Sequence, residues 1–228
     1  MIYTCTYKSE LGNILLAADE IGLTGLWFEG QKYFANTLPD ERISQETPIL
    51  IEVKRWLDEY FSGEEPKFTP PLHPTGSTFR QAVWQILLQI PYGQTTTYGE
   101  IARQLAEMQN APHMSAQAVG GAVGHNEISI IIPCHRVVGT NGSLTGYAGG
   151  IDKKIALLKL EHTDMSHLFV PRKGTALYGR MRNGFLDSFN YYTVTILRML
   201  FWKNVPTEEK RNPDRPDWKG KNRQAKSD

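Results

Sequence analysis

The chain has 228 residues, with 25 Lys and Arg against 24 Asp and Glu, so its net charge is close to zero. No stretch approaches the roughly 18 to 20 consecutive apolar residues that span a membrane, and the first ten residues lack the basic and apolar regions of a secretory signal. Two distant cysteines, Cys5 and Cys134, argue against a disulfide framework or structural zinc site and favour a cytoplasmic setting.

Residues 1–29 alternate apolar and polar side chains in three segments, MIYTCTYKS, NILLAAD and GLTGLWFE. Turn residues separate these segments, so the pattern predicts three short strands. The segment TPILIEVKRWLDEYFSG then predicts a helix that is capped by Thr47, carries Pro48 in its first turn and ends at Gly63. The apolar face of this helix contains Leu50, Val53, Leu57 and Tyr60.

A stretch rich in Pro and Gly, GEEPKFTPPLHPTG, follows the helix. This composition is typical of a linker and indicates a domain boundary near residue 70. We therefore expect one domain over residues 1–72, a second domain over residues 77–163 and an extension over residues 164–228.

The second domain begins with helical patterns. STFRQAVWQILLQIP predicts a capped helix that stops before Pro91, and PYGQTTTYGEIARQLA predicts a turn followed by another helix. SAQAVGGAVGHN predicts a short helix capped by Ser115, and with the preceding helix it matches a helix-turn-helix pattern. Its Ala, Gly and Val residues leave two interpretations, which are close approach to a narrow DNA groove and tight packing inside the protein.

The last third of this domain holds ISIIIPCHRVV, which predicts an extended segment, and the glycine-rich loop GTNGSLTGYAGG. A final helix is predicted over IDKKIALLKLEH, with Ile151, Ile155 and Leu158 on one face. Acidic residues dominate the first third of the chain and the middle is mildly basic, so any nucleic-acid binding must come from a local surface.

Cys134 and His135 form the candidate chemical centre, because a neighbouring base or cation lowers the pKa of a thiol and yields the reactive thiolate. Consecutive strand residues point to opposite faces, so His135 needs a local turn after Pro133 or an intervening water to serve Cys134. A carboxylate usually orients such an imidazole. Spacing does not choose among the candidates Glu100, Glu107, Glu127, Asp152 and Glu161. An inert buried cysteine and a Cys–His protease or amidase dyad remain as alternatives.

Four segments, SAQAVGGAVGHN, IPCHRVV, GSLTGYAGG and LLKLEH, occur in this order. In order and spacing they resemble the methylated-DNA–protein-cysteine methyltransferases, the alkylguanine-DNA repair proteins. The resemblance covers residues 1 to about 177 and is most specific from Phe79 to Glu161. It implies an α/β fold: an RNase H-like N-terminal domain with a three-stranded sheet and a helix, followed by a helical winged-helix-like domain for DNA binding and the active site.

The resemblance also implies a reaction. An alkyl group, typically methyl, would pass irreversibly from O6-alkylguanine in double-stranded DNA to the protein's own cysteine, with O4-alkylthymine as a second candidate substrate. The protein would be spent after one event and would need no cofactor or metal. It would bind the duplex as a monomer through the minor groove and flip the damaged nucleotide out of the stack.

Individual roles follow from the same resemblance. Cys134 would be the nucleophile and alkyl acceptor, His135 would act as base through a water, and Glu161 would hold His135. Asn126 would join the second helix of the helix-turn-helix to the active-site segment. The implied DNA and substrate contacts are Tyr98 at the flanking phosphate and the base, Ser115, Ala116, Gln117 and Gly120 on the groove-entering helix, backbone at Cys134 and Val137 on the base edge, and Tyr147 and Ala148 in the loop covering the base.

One position departs from the family pattern, because Gln117 stands where the family has an arginine that fills the gap left by the flipped base. Glutamine can hydrogen-bond the orphan cytosine but brings no charge, which affects extrusion and DNA binding rather than the chemistry. A related subfamily lacks the reactive cysteine and only binds lesions. A non-catalytic helix-turn-helix lesion sensor or regulator is therefore the alternative function, and Cys134 argues against it.

Residues 178–228 lie outside the resemblance. Their segment YYTVTILRMLFW is apolar but too short to span a membrane, and the final segment is rich in Pro and in both charges, which predicts disorder. A basic arm that adds DNA affinity and an incidental extension are the two interpretations, and we favour the second.

Overall fold

The computed structural model describes residues 1–171, which lie within one compact unit, Met1–Ala176. The predictions made for residues 178–228, including disorder, lie outside the described residues. In the described part of the chain, no helix is long and apolar enough to cross a membrane.

The N-terminal domain is a sheet with one helix across it. Strands β1 (Tyr3–Ser9), β2 (Gly12–Ala18) and β3 (Leu23–Phe28) form an antiparallel meander. A fourth strand, β4 (Ile43–Ser44), pairs parallel with β1 and gives the order β3-β2-β1-β4, so the expectation of a three-stranded sheet was one strand short. Both β4 residues are exposed, and two residues without a buried face leave no alternation for the sequence to reveal.

Helix α1 (Pro48–Phe61) closes one side of this domain. The Thr47 side chain accepts a hydrogen bond from Leu50 N, and Pro48 occupies the first turn, as the sequence predicts. Its buried residues are Leu50, Val53, Trp56, Leu57 and Tyr60. They join the core that β2 and β3 contribute.

The second domain is mainly helical and is built from α2 (Thr78–Leu87), α3 (Tyr98–Met108), α4 (Ala116–Gly124) and α5 (Ile151–Leu160). Thr97 and Glu100 cap α3 reciprocally, and the Ser115 hydroxyl accepts a hydrogen bond from Ala118 N at the start of α4. The predicted pair of short helices, α3 and α4, is therefore present. Two short parallel strands, β5 (Thr96–Thr97) and β6 (Val137–Val138), complete this domain.

The segment after α4 connects the two domains. Leu26 N on β3 donates to Glu127 O at 2.8 Å, and Ser129 N donates back to Leu26 O at 3.0 Å. The extended prediction for ISIIIPCHRVV holds for its last two residues, Val137 and Val138, which form β6, but it was wrong between Ile130 and Arg136. There the chain turns at Ile130, whose φ is 69°, and forms a 3-10 helix over Cys134–Arg136. The run of isoleucines reflects burial in a folded loop rather than a strand, and apolar runs alone do not separate the two.

Helix α5 also departs from its expected face. The most buried residues are Lys154, Leu157 and Leu158, whereas Ile151 and Ile155 are only partly buried. Lys154 lies at the same helical spacing as the predicted apolar residues. On this face of α5, the fully buried side chain is therefore that of Lys154 and not that of an isoleucine.

Candidate active site

Cys134 lies in the first position of the 3-10 helix Cys134–Arg136, directly after Pro133. The local turn that His135 needs is therefore present. The cysteine is buried, with 4% of its surface exposed. Burial raises the pKa of the Cys134 thiol, against the opposing hydrogen bond from Asn126 and the charge of Lys154. The site therefore holds a neutral thiol that needs a base before it can act as a thiolate.

Asn126 ties the end of α4 to this turn. Its Nδ2 lies 2.8 Å from Ile132 O and 3.1 Å from Cys134 Sγ, and its Oδ1 accepts from Ile128 N at 3.0 Å. One buried amide thus fixes the backbone on both sides of the bend and touches the sulfur. The family resemblance implies such a joining position for Asn126.

His135 and Glu161 form a fully buried pair. The Nε2 atom of His135 lies 2.6 Å from Glu161 Oε1, and both side chains have no exposed surface. Glu161 caps the C-terminal end of α5, and Gly93 lies against it with a φ of 73°. A Cβ atom at Gly93 would lie 2.7 Å from the Glu161 carbonyl oxygen, so only glycine lets the backbone at Glu161 pack this closely against position 93.

The Glu161 carboxylate accepts hydrogen bonds from four residues. Oε1 accepts from Tyr60 Oη at 2.7 Å and Arg136 Nη2 at 3.0 Å in addition to His135. Oε2 accepts from Arg136 Nε at 2.8 Å and Gly93 N at 3.3 Å. Such a carboxylate is held in one orientation and has little capacity for a proton.

The pKa shifts agree with this geometry. Burial alone would raise the pKa of Glu161, but the contacts with His135 and Arg136 outweigh burial and hold that pKa well below its usual range. Burial lowers the pKa of His135, and the Glu161 carboxylate only partly offsets this effect. Because an ionised carboxylate only accepts, Nε2 of His135 carries a proton and Nδ1 is left as the basic nitrogen of the neutral ring. Nδ1 is buried and has no hydrogen-bond partner in the described part of the chain.

The other candidate carboxylates lie elsewhere. Glu100 caps α3, Glu107 lies 3.5 Å from Arg103 on the surface, and Asp152 is exposed in the first turn of α5. Glu127 is buried, but its Oε2 accepts from Trp27 Nε1 at 2.8 Å. Of the five candidates, only Glu161 hydrogen-bonds His135.

Lys154 places a buried cation next to the cysteine segment. Its Nζ donates to Val137 O and, at 2.9 Å, to Thr145 O. Burial lowers the pKa of Lys154 to about 8, and the proximity of Cys134 works in the opposite direction. Lys154 therefore links β6 to the glycine-rich loop and brings positive charge towards the sulfur.

A cleft of about 330 Å³ opens between α4 and the loop around Tyr147. Its lining residues are Lys32, Tyr33, Tyr98, Gly120, Gly121, Gly124, His125, Gly146, Tyr147 and Ala148. Tyr98 donates to Thr145 O at 3.3 Å, and burial, with the proximity of Cys134, raises its pKa to about 12. The expected substrate residues Tyr98, Gly120, Tyr147 and Ala148 therefore share one cavity.

The N-terminal domain contributes one wall of this cleft. Lys32 N donates to Ala148 O at 2.9 Å, and the ring of Tyr33 stacks on His125 with 4.4 Å between centroids. Tyr33 adopts a φ of 63°, which is uncommon for a bulky residue. One segment of the first domain thus contacts both sides of the opening.

The start of α4 faces outward. Ser115, Ala116, Gln117 and Ala118 are exposed, whereas Val119, Ala122 and Val123 are buried against the core. Tight packing inside the protein therefore describes one face of α4, whereas the start of the helix is exposed. Val137, by contrast, is buried, and its carbonyl oxygen already accepts a hydrogen bond from Lys154.

Sequence reasoning missed three residues of this site, which are Tyr60, Arg136 and Lys154. Two of them carried a signal: a tyrosine on an apolar helix face needs a partner for its hydroxyl, and a lysine at the spacing of buried residues needs acceptors. Among residues 1–171, no cluster of three or more His, Cys, Asp or Glu side chains is arranged to hold a metal ion.

The fold and the site together define a two-domain protein in which a helix-turn-helix domain carries a buried cysteine. An asparagine contacts its sulfur, and the next residue along the chain belongs to a buried His–Glu pair. Two family models match the chain: the ribonuclease-like domain of 6-O-methylguanine DNA methyltransferase over residues 2–74, and the DNA binding domain of the same family over residues 78–163. The chain therefore belongs to the methylated-DNA–protein-cysteine methyltransferase family. The predicted α/β architecture of two domains is confirmed.

Similar proteins carry the same name. The methylated-DNA–protein-cysteine methyltransferase of Methanosarcina acetivorans is 45% identical over 161 residues, which cover 70% of this chain and 98% of the relative. The methyltransferase of Haemophilus influenzae is 42% identical over 161 residues, which cover 70% of this chain and 86% of the relative. The crystal structure of Mycobacterium tuberculosis OGT in complex with DNA is similar, with a TM-score of 0.61, 42% identity, and coverage of 70% of this chain and 92% of that one.

Proposed function

We propose that this protein repairs DNA by moving an alkyl group, typically methyl, from O6-alkylguanine to its own Cys134 in a single irreversible event. The observation that carries the proposal is the buried array in which Asn126 touches the sulfur and the His135–Glu161 pair lies beside it. The relatives named above as methylated-DNA–protein-cysteine methyltransferases support it. In these terms the protein is a suicide methyltransferase of class EC 2.1.1.63.

Activation of the thiol is the first step of the proposed mechanism. The Cys134 proton passes through a water to Nδ1 of His135, and the resulting imidazolium is stabilised by the ionised Glu161. The Lys154 ammonium and the Asn126 amide stabilise the thiolate that remains. These contacts offset part of the cost of forming an anion at a buried position.

Alkyl transfer is then a displacement at the alkyl carbon. The thiolate forms a carbon–sulfur bond while the bond to guanine O6 breaks. The leaving guanine takes up one proton, and the His135 imidazolium releases the proton that it received from Cys134, so the two changes balance. The product thioether has no easy leaving group, so the protein is consumed. Tyr98, whose raised pKa keeps the phenol protonated at neutral pH, would shift its hydrogen bond from Thr145 O to the base in the cleft.

DNA would be bound through the exposed start of α4. The alkyl group lies inside a duplex, so the nucleotide must be extruded before the reaction. Ser115, Ala116 and Gly120 present little bulk and permit close approach to the minor groove, while Gln117 takes the place of the extruded base. We propose that the protein binds the duplex and takes up the alkyl group as a monomer in the cytoplasm, without a cofactor. Residues 1–72 and 77–163 would form its two domains.

Intact mass tests this function directly. The protein is incubated with a duplex oligonucleotide containing O6-methylguanine, and the mass of the whole chain is recorded. We expect a gain of one methyl group per protein with no further turnover. Duplex binding without a gain in mass would instead favour the lesion sensor, and catalytic turnover of an ester or amide would favour a Cys–His hydrolase.

A further inference from the structure

Tyr60 belongs to the N-terminal domain but reaches the catalytic pair of the second domain. It lies near the end of α1 and is fully buried. Its ring stacks on Trp56 at 5.2 Å between centroids and meets Tyr92 edge-on at 6.1 Å. These contacts fix the ring, so the hydroxyl has a defined position.

The hydroxyl of Tyr60 lies across the His135–Glu161 hydrogen bond. It donates to Glu161 Oε1 at 2.7 Å, the same oxygen that lies 2.6 Å from His135 Nε2, and it is 3.5 Å from that nitrogen. The direction of this bond is fixed, because an ionised carboxylate has no proton to give. Tyr60 and His135 therefore share one acceptor.

We propose that Tyr60 is a positioning residue for the reaction: its hydroxyl holds the Glu161 carboxylate and limits how strongly that carboxylate stabilises a protonated His135. The reaction needs a neutral His135 that can accept the thiol proton and later release it. If Glu161 stabilised the imidazolium too strongly, His135 would already carry this proton and could not act as a base. The N-terminal domain would thus set the basicity of a residue in the other domain. The expected effect of Tyr60 on the reaction rate rests on the proposed function, whereas its expected effect on the basicity of His135 does not.

The physical argument concerns charge on Oε1. Each donor to a carboxylate withdraws negative charge from it and favours its ionised form. Loss of the Tyr60 donor leaves more charge on the oxygen that faces His135, and this stabilises the imidazolium. Other titratable or charged groups around His135 are Cys134, Arg136, Tyr147, Lys154 and Glu161. A Phe substitution at position 60 removes none of them.

Tyr60→Phe is the informative variant because it keeps the ring and removes only the hydroxyl. Tyr92→Phe is the matched control: its hydroxyl donates to Leu160 O at 3.3 Å, next to Glu161, but not to the carboxylate. Tyr7→Phe is a second control, since Tyr7 donates to the Asp58 carboxylate on α1 at 2.8 Å, away from the site.

Proton NMR titration of the His135 ring in the unreacted protein gives the first readout. We expect the midpoint to rise by about half to one pH unit in Tyr60→Phe, with no change in either control. An unchanged midpoint in Tyr60→Phe, or an equal rise in Tyr92→Phe, would overturn the proposal whether or not the protein transfers methyl groups. If Tyr60→Phe does not fold, 4-aminophenylalanine at position 60 keeps a weaker donor, and a smaller rise is expected.

The rate of methyl transfer against pH gives the second readout. At pH values below the His135 midpoint, we expect Tyr60→Phe to be slower by about three- to tenfold, the factor that a rise of half to one pH unit gives, with the difference shrinking as pH rises because neutral His135 is recovered. A residue with a structural role alone would slow the reaction equally at all pH values, and that result would contradict the proposal. Failure of the wild-type protein to gain a methyl group would instead remove the proposed function and leave the NMR result to decide on Tyr60.

Discussion

The buried centre around Cys134 and the exposed start of α4 are built on opposite principles. In the centre, Glu161 accepts five hydrogen bonds and has no exposed side-chain surface. At the start of α4, Ser115 through Ala118 are exposed, and the Ser115 hydroxyl caps the helix. The first region is held in place by its own hydrogen bonds, whereas the side chains of the second are exposed to solvent.

This difference separates the chemistry from recognition. Groups in the buried centre keep their geometry before any substrate arrives, so changes there should slow transfer from every substrate, including free alkylguanine base. Changes at the start of α4 should matter only where a duplex must be bound and opened. Comparing rates on duplex DNA and on free base therefore assigns a residue to one region or the other.

The largest effect is expected for Glu161→Gln. A neutral amide orients His135 less well and stabilises its imidazolium less, and the loss of one charge-assisted hydrogen bond slows transfer roughly ten- to a hundredfold. The rates of methyl transfer at pH 7 should fall by the same factor on duplex and free base, while duplex affinity is nearly unchanged. Equal rates for the variant and the wild type would remove Glu161 from the mechanism.

Lys154→Met should slow transfer by about tenfold at pH 7, because it removes the buried positive charge that favours the thiolate. The pKa of Lys154 is lowered to about 8, so the lysine carries its charge below that pH and loses it above. The ratio of wild-type to variant rates should accordingly be largest below pH 8 and shrink above it. Lys153→Met, at the neighbouring position on α5, is the control, and a ratio independent of pH would argue against an electrostatic role for Lys154.

The stability of the fold should also depend on Glu161. Its folded-state pKa is depressed, so its contribution is present above the ordinary carboxyl pKa and is lost as pH falls towards the folded-state value. Between pH 5 and pH 3, the wild type should lose at least about 1.4 kcal/mol more unfolding free energy than Glu161→Gln, the equivalent of one pKa unit. Urea unfolding at each pH measures this, and parallel curves for the two proteins would contradict it.

The smallest effect is expected for Gln117. If the Gln117 side chain occupies the space that the extruded base leaves in the duplex, Gln117→Ala should slow repair of duplex DNA severalfold. The rate on free base should be unchanged. Gln117→Arg should tighten duplex binding, more so at low salt. Gln85→Ala, at an exposed glutamine of α2, is the matched control.

Because Gln117 lies on the exposed start of α4, Gln117→Arg should leave the melting temperature unchanged. A buried arginine would destabilise the fold by several kcal/mol, whereas an arginine on an exposed helix start would not. A lower melting temperature for Gln117→Arg, together with an unchanged ratio of duplex to free-base rates in Gln117→Ala, would show that this helix does not face DNA.

Local signals predicted much of the fold. Thr47 and Ser115 cap their helices as expected, because capping depends on residues a few positions apart. The extended prediction for the Cys134 segment failed between Ile130 and Arg136, because its buried isoleucines join the core from a turning segment and not from a regular strand. Its turn at Ile130 depends on contacts with β3 that the local sequence does not contain.

The candidate site shows the same limit. Spacing did not distinguish Glu161 from four other acids, and only the family resemblance placed it beside His135. Tyr60 lies 75 positions from His135, so no local pattern joins them. Lys154 was detectable as a lysine at a buried spacing, but its acceptors, Val137 O and Thr145 O, come from other segments.

The central claim is that Cys134, and not Cys5, receives the alkyl group. Cys5 is half-buried on β1, and burial raises the pKa of its thiol, which among residues 1–171 has Lys54 and Glu46 rather than a histidine as its charged neighbours. Peptide mapping after reaction with O6-methylguanine duplex tests this directly, with Cys134→Ala and Cys5→Ala measured in parallel. We expect the added methyl mass on the peptide that contains residues 133–136, no transfer in Cys134→Ala and full transfer in Cys5→Ala. Methyl mass on Cys5, or full activity in Cys134→Ala, would contradict the account.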